Sequence, residues 1–106
     1  INGYKRRIAV LGDMLELGDW AYSAHFNVGK LAVLLGIDYI ITVGQNGKII
    51  AEGALESGAR HDKVKSFPDN KSAIAFLKDL INREVAILIK GSRGMGMEEI
   101  VRELMK

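Results

Sequence analysis

Two glycine-punctuated loops carry most of the residue types that could do chemistry in this 106-residue sequence. One is Gly12-Asp-Met-Leu-Glu-Leu-Gly18; the other is Lys90-Gly-Ser-Arg-Gly-Met-Gly96. Asp13 offers a carboxylate and Arg93 a guanidinium, with Lys90 and Ser92 beside it. An acid and a base facing one crevice would hold the ammonium and carboxylate of a small zwitterion, because a guanidinium fork matches a carboxylate in shape as well as charge. Gly91 and Gly94 let backbone and ligand come close. A strand-to-helix turn with solvated charges, or a structural salt bridge between the loops, would leave the same letters in the sequence. Met14, Leu15 and Leu17 add an apolar contribution, and a solvent loop seldom carries three large apolar groups without something to cover.

Neither loop is a nucleotide signature. Gly91-Ser-Arg-Gly-Met-Gly96 reads G-x-x-G-x-G rather than G-x-G-x-x-G, and G-x-x-x-x-G-K-[ST] occurs nowhere. His25 falls early in an amphipathic helix, where a lone histidine more often packs or caps than catalyses; bracing the Asp13 loop is the other role open to it. Trp20 and Tyr22 read as a hydrophobic lid on the start of that helix.

The elements that must position these residues alternate regularly. Ile8 to Leu11 predicts a first strand ending at Gly12. Ala24, Val28, Leu31, Ala32 and Leu35 fall at helical spacing, with Asp19 placed to cap the first turn and Gly36 to stop the last. Tyr39 to Val43 is a second strand closed by Gly44, and Ile50, Ala51, Ala54 and Leu55 mark a helix ending at Gly58. Val64 to Phe67 is a short strand near an edge. Pro68-Asp69-Asn70 opens a helix bearing Ala73, Ile74, Leu77, Leu80 and Ile81. The run from Val85 to Ile89 is apolar without a break, which suits a strand covered on both faces in the middle of a parallel sheet. Met97, Ile100, Val101 and Leu104 give a last helix its buried side. Strand and helix four times over predict an α/β fold of three layers: a mostly parallel sheet with helices on both faces and right-handed crossovers. Loops that follow strands in such a sheet emerge on one side, the side where ligands bind.

Composition narrows the class. The chain is 48% hydrophobic and 26% charged, as expected of an ordinary globular domain. Fifteen basic residues are spread along it against 13 acidic ones, which argues against nucleic acid as a partner. No apolar run reaches membrane-spanning length, and no membrane partner is expected. With no cysteine, disulfides and thiolate metal sites are excluded, in keeping with a cytoplasmic setting. No metal-ligand set is expected. The opening Ile1-Asn2-Gly3-Tyr4 reads as loop, so residues 1–106 are expected to form a single domain cut from a longer multidomain chain.

Four strings together resemble one family. Val10-Leu-Gly-Asp-Met-Leu-Glu-Leu-Gly18, His25 followed by Val28-Gly29, Gly36-Ile-Asp38 ahead of an Ile-Thr-Val-Gly strand end, and Lys90-Gly-Ser-Arg-Gly-Met95 are similar to the C-terminal domain of the MurF-type Mur ligases. The likeness runs from about Arg7 to Leu104. It implies a Rossmann-like domain lacking its first strand-helix unit, since the family's opening D-x-Y-N-A-N-P string, which touches the nucleotide, is absent.

The resemblance implies an ATP-dependent acid-D-amino-acid ligase of peptidoglycan synthesis, joining D-alanyl-D-alanine to UDP-N-acetylmuramoyl-tripeptide through an acyl phosphate. ATP and Mg2+ would be held mainly by a central P-loop domain outside this chain, with none expected in the fragment itself. Its partners would be the N-terminal and central domains of the same protein and the two small-molecule substrates. Carried over by position, Ser92 and Arg93, with Gly91 and Gly94, lie in the loop that contacts the dipeptide, and Lys90 supports it. Asp13 and Met14 line the opposite wall near the reacting amine, and no residue here is assigned a catalytic role. Two rival readings stand beside this one: a related ligase domain that takes an amino acid, and a stand-alone α/β binding or regulatory module.

Overall fold

The computed structural model describes residues 6–15, 17–80, 85–90 and 98–104, with the main chain alone for 85–90 and for Glu98. Strands β1 (Arg6–Gly12), β2 (Tyr39–Val43), β3 (Val64–Phe67) and β4 (Val85–Lys90) alternate with helices α1 (Ala21–Leu34), α2 (Gly47–Glu56), α3 (Asn70–Leu80) and α4 (Glu98–Leu104). The four strands form one parallel sheet in the order β3-β2-β1-β4.

Alternation along the strands sorts side chains to two cores, because successive residues of a strand point to opposite faces. Ile8 and Val10 of β1 and Ile41 and Val43 of β2 pack with Ala73, Ile74 and Leu77 of α3 and Ile100 of α4. Ala9, Leu11 and Ile40 pack on the other face with Ala32 of α1 and Ile50 and Ala54 of α2. The predicted three-layer α/β architecture is therefore present. No helix among the described residues is long and apolar enough to cross a membrane.

One expectation is corrected. Among the described strands β4 has a single neighbour, β1, and lies at an end of the sheet rather than in its middle. An unbroken apolar run reports covering on two faces; it carries no information on how many strands hydrogen-bond at the sides. The inner positions belong to β2 and β1, and residues Ile8 to Leu11 of β1 are all buried.

The helices on the first face meet backbone to backbone. A Cβ on Gly29 of α1 would run into the Ile50 carbonyl of α2, and one on Gly53 of α2 would run into the Phe26 carbonyl of α1. Glycine at both positions is what lets the two axes approach. At the outer margin of this contact the Tyr22 hydroxyl donates to Glu52 at 2.9 Å, and that bond to a carboxylate raises the phenol above its ordinary pKa.

Three local expectations also change. Asp19 does not cap α1: it lies inside a 3-10 turn, Gly18–Trp20, that runs directly into the helix and leaves no extended capping position. Trp20 and Tyr22 form no lid. Trp20 is 75% exposed, and Tyr22, also largely exposed, stacks on Phe26 with ring centroids 6.0 Å apart. On α4, Ile100 is buried as expected, but Val101 next to it is exposed.

Candidate functional site

The carboxyl ends of β1 and β4 lie side by side, with Leu11 paired to Lys90. The chain leaving β1 therefore starts its turn next to the point where the chain leaves β4. Lys90 closes that strand; Gly91, Ser92, Arg93 and Gly94 lie outside the described residues.

Asp13 is the first residue beyond β1, and it is only 6% exposed. Its two oxygens accept main-chain N–H groups from across the neighbouring strand: Oδ2 from Gln45 at 3.0 Å and Oδ1 from Asn46 at 2.8 Å. Those donors belong to the turn that opens α2, whose own capping residue, Asn46, makes no side-chain cap bond. A carboxylate at a helix N-terminus meets free donors and the positive end of the helix dipole together, so the bonds are charge-assisted. Gly44, with φ +109°, makes room for it; a Cβ there would lie 2.7 Å from the Asp13 carboxyl carbon. The side chain is thus turned toward α2. This differs from the expectation of a carboxylate free in the crevice to take an ammonium, and the physical reason is that α2 lacks a local cap and Asp13 supplies one.

Met14 follows, half-buried. Its N–H donates to His25 Nε2 at 2.9 Å. The other ring nitrogen, Nδ1, sits 2.6 Å from the Ala21 carbonyl oxygen, one turn earlier in α1. A carbonyl can only accept and an N–H can only donate, so the imidazole satisfies both when it is neutral with its proton on Nδ1. His25 is fully buried on the same side of α1 as Gly29 and Ala32.

Consecutive residues of one loop are thus fixed from two helices: Asp13 by α2 and Met14 by α1. Beyond them Leu15 is exposed and Leu17 half-buried, so the apolar part of this loop lies near solvent at the sheet's carboxyl edge. Gly44, Gln45 and Asn46 are the participants that sequence reasoning missed. The signal available for them was a glycine directly after the neighbouring strand, followed by two polar residues with no acid of their own to cap a helix.

Among the described residues no group of three or more His, Cys, Asp or Glu side chains could hold a metal ion. An open surface groove of about 390 Å3 lies along α2 and β3, lined by Lys48, Ile49, Ala51, Glu52, Leu55 and Ser66. None of these belongs to the Asp13 loop.

Comparison with known proteins agrees with the geometry. Residues 1–93 match the family model described as Mur ligase, glutamate ligase domain. The UDP-N-acetylmuramoyl-tripeptide--D-alanyl-D-alanine ligase of Bacillus subtilis (strain 168) is 39% identical over 106 residues, covering 100% of this chain and 23% of that protein. The Escherichia coli (strain K12) protein of the same name is 39% identical over 100 residues, covering 92% of this chain and 21% of its own length. A crystal structure of MurF from Acinetobacter baumannii superposes with a TM-score of 0.81 at 34% identity, covering 96% of this chain and 22% of that one. A MurF ligase from Thermotoga maritima, solved in complex with ADP, shares the fold with a TM-score of 0.67 at 20% identity. The chain spans about a fifth of the length of the relatives it matches. By its matched sequence and its parallel sheet, it belongs to the Mur ligase family through that family's glutamate ligase domain.

Proposed function

We propose that this chain is the second-substrate domain of an ATP-dependent ligase that joins D-alanyl-D-alanine to UDP-N-acetylmuramoyl-tripeptide in peptidoglycan synthesis. The observation that carries the reading is the adjacency of the β1 and β4 ends, with Leu11 opposite Lys90, in a chain whose relatives bear that ligase name. Adjacent exits start the Asp13 loop and the chain that follows Lys90 from neighbouring points, as a pocket for a small dipeptide requires.

In this reading Arg93 and Ser92 take the dipeptide carboxylate, Gly91 and Gly94 keep the backbone open to it, and Lys90 adds positive charge at the strand end. Met14 and its neighbours form the facing wall near the amine, while Asp13 holds that wall to α2. ATP, with Mg2+, would transfer its terminal phosphoryl group to the tripeptide's carboxylate and leave as ADP, and the dipeptide amine would then displace phosphate from the acyl phosphate so formed. The work left to this chain is positioning: an amine held in line with an activated carbonyl gains most of its rate from orientation.

The test uses the protein expressed from its complete gene. ADP release should depend on both D-alanyl-D-alanine and the UDP-sugar tripeptide, and single amino acids should not replace the dipeptide. Arg93→Ala should lower kcat/KM for the dipeptide more than tenfold. Unchanged kinetics in that variant would refute the arginine's role. Turnover with a single amino acid in place of the dipeptide would move the protein to a sister specificity, and absence of any ligation would refute the ligase reading.

A further inference from the structure

We infer that His25 is a positioning residue: it sets the conformation of the substrate-facing loop by accepting the Met14 N–H in one fixed tautomer. The inference rests on the ligase reading for what the loop touches, but its geometry stands without it.

A buried histidine has two ring nitrogens to satisfy. Here both are committed. Nδ1 is tied to Ala21 within α1, which fixes the ring and places the proton. Nε2 is thereby left a pure acceptor, aimed out of the helix at the Met14 amide, 11 residues back in the chain. A bond between a helix side chain and a loop main chain is unlike packing, because it fixes one peptide plane of the loop rather than filling volume.

The same loop is fixed one residue earlier by Asp13 on the opening turn of α2. The two anchors cannot drift apart, since α1 and α2 are locked through Gly29 and Gly53. The half-buried Met14 thus inherits its orientation from both helices, and the exposed Leu15 follows directly from it. Removing the Met14 bond should leave the fold intact while the loop's mouth samples other conformations. That predicts a weaker hold on the dipeptide, seen in KM, with the chemical step little changed.

Two near-isosteric replacements separate this role from packing. A glutamine carbonyl reaches about as far as Nε2 and can still accept from Met14. An asparagine amide reaches only as far as Nδ1; it can serve Ala21 but not Met14. In the complete protein, His25→Gln should keep KM for D-alanyl-D-alanine within about threefold of the parent. His25→Asn should raise it at least tenfold with kcat within about threefold, and hydrogen exchange in residues 13–17 should quicken in the Asn variant alone. Equal KM values and equal exchange in the two variants would overturn the proposal, as would a loss confined to kcat.

Should both variants fail to fold, the parent protein still decides. Nitrogen-15 correlation spectra should show His25 protonated on Nδ1 and bare on Nε2, with the Met14 amide protected from exchange; an Nε2–H tautomer or an unprotected Met14 amide would overturn it. A parent protein with no dipeptide-dependent turnover would instead refute the ligase reading. The tautomer and exchange results would then judge His25 separately.

Discussion

The Asp13 carboxylate and the α-carbon of Gly44 share a space that admits no further atom: a Cβ on residue 44 would lie 2.7 Å from the carboxyl carbon and 2.7 and 2.8 Å from its two oxygens. The carboxylate cannot retreat without giving up the Gln45 and Asn46 N–H groups. Two strands and the start of a helix are thereby tied at one point, next to the edge where the candidate site lies.

Gly44→Ala should therefore cost more than its backbone alone explains. Gly58 is the control, with φ +104° against +109° and nothing within 4 Å of an added Cβ. Strain at such a φ is worth about 1–3 kcal/mol. Gly58→Ala should lose about that much in urea unfolding, and Gly44→Ala at least ~1 kcal/mol more, for displacing a buried carboxylate from its donors. Equal losses would show that Asp13 moves aside freely.

Asp13→Ala should destabilise by about 2 kcal/mol or more, because two main-chain donors lose a charged acceptor in a site closed to water. The two substitutions should not add. With Asp13 shortened, Gly44→Ala has nothing left to collide with and should cost only what Gly58→Ala costs, a coupling that a double-mutant cycle measures directly. Strict additivity would place the carboxylate elsewhere.

The α1–α2 contact gives a harsher prediction. Alanine is favoured over glycine in a helix by about 1 kcal/mol, so at an open site Gly29→Ala or Gly53→Ala would stabilise. Here each Cβ meets a carbonyl of the facing helix, which cannot rotate away as a side chain can. Separating the helices would also loosen Ala32, Ile50 and Ala54 in the core beneath. The collision should win, for a net loss of about 3 kcal/mol or failure to fold. Raised thermal stability in either variant would show that the helices do not approach this closely.

Most of what could be read from the letters alone was local, with the start of α1 at Asp19 an exception. Val64 to Phe67 announced a short edge strand, Asp69 before Asn70 announced a helix start, and both stand where expected. The Asp13 loop was recognised as unusual because its residues sit together in sequence. Its partners were not, since Gln45 and Asn46 lie 32 and 33 positions away and contribute main-chain atoms, which no residue type advertises. The place of β4 was misjudged for a related reason. Its apolar run reflects the two faces of the sheet, whereas its position depends on strands far off in sequence.

Asp69 precedes α3 and accepts the Ser72 N–H at 2.8 Å; that main-chain bond, then the Ser72 side chain and the nearby Lys71 charge, hold its carboxyl below the ordinary aspartate value. A carboxyl depressed by folding stabilises the native state above the unfolded-state pKa, and the contribution fades as pH falls through the native one. The parent should therefore melt above Asp69→Ala by a constant margin at neutral pH. The margin should narrow only below about pH 4, where unfolded aspartate begins to take up protons. Asp69→Asn, which still caps but cannot titrate, should show a smaller dependence on acid than the parent over the same range. Thermal melts from pH 7 to pH 2 would check this; a margin between parent and alanine variant that stays constant to the lowest pH would mean that the carboxylate's charge adds nothing to the cap.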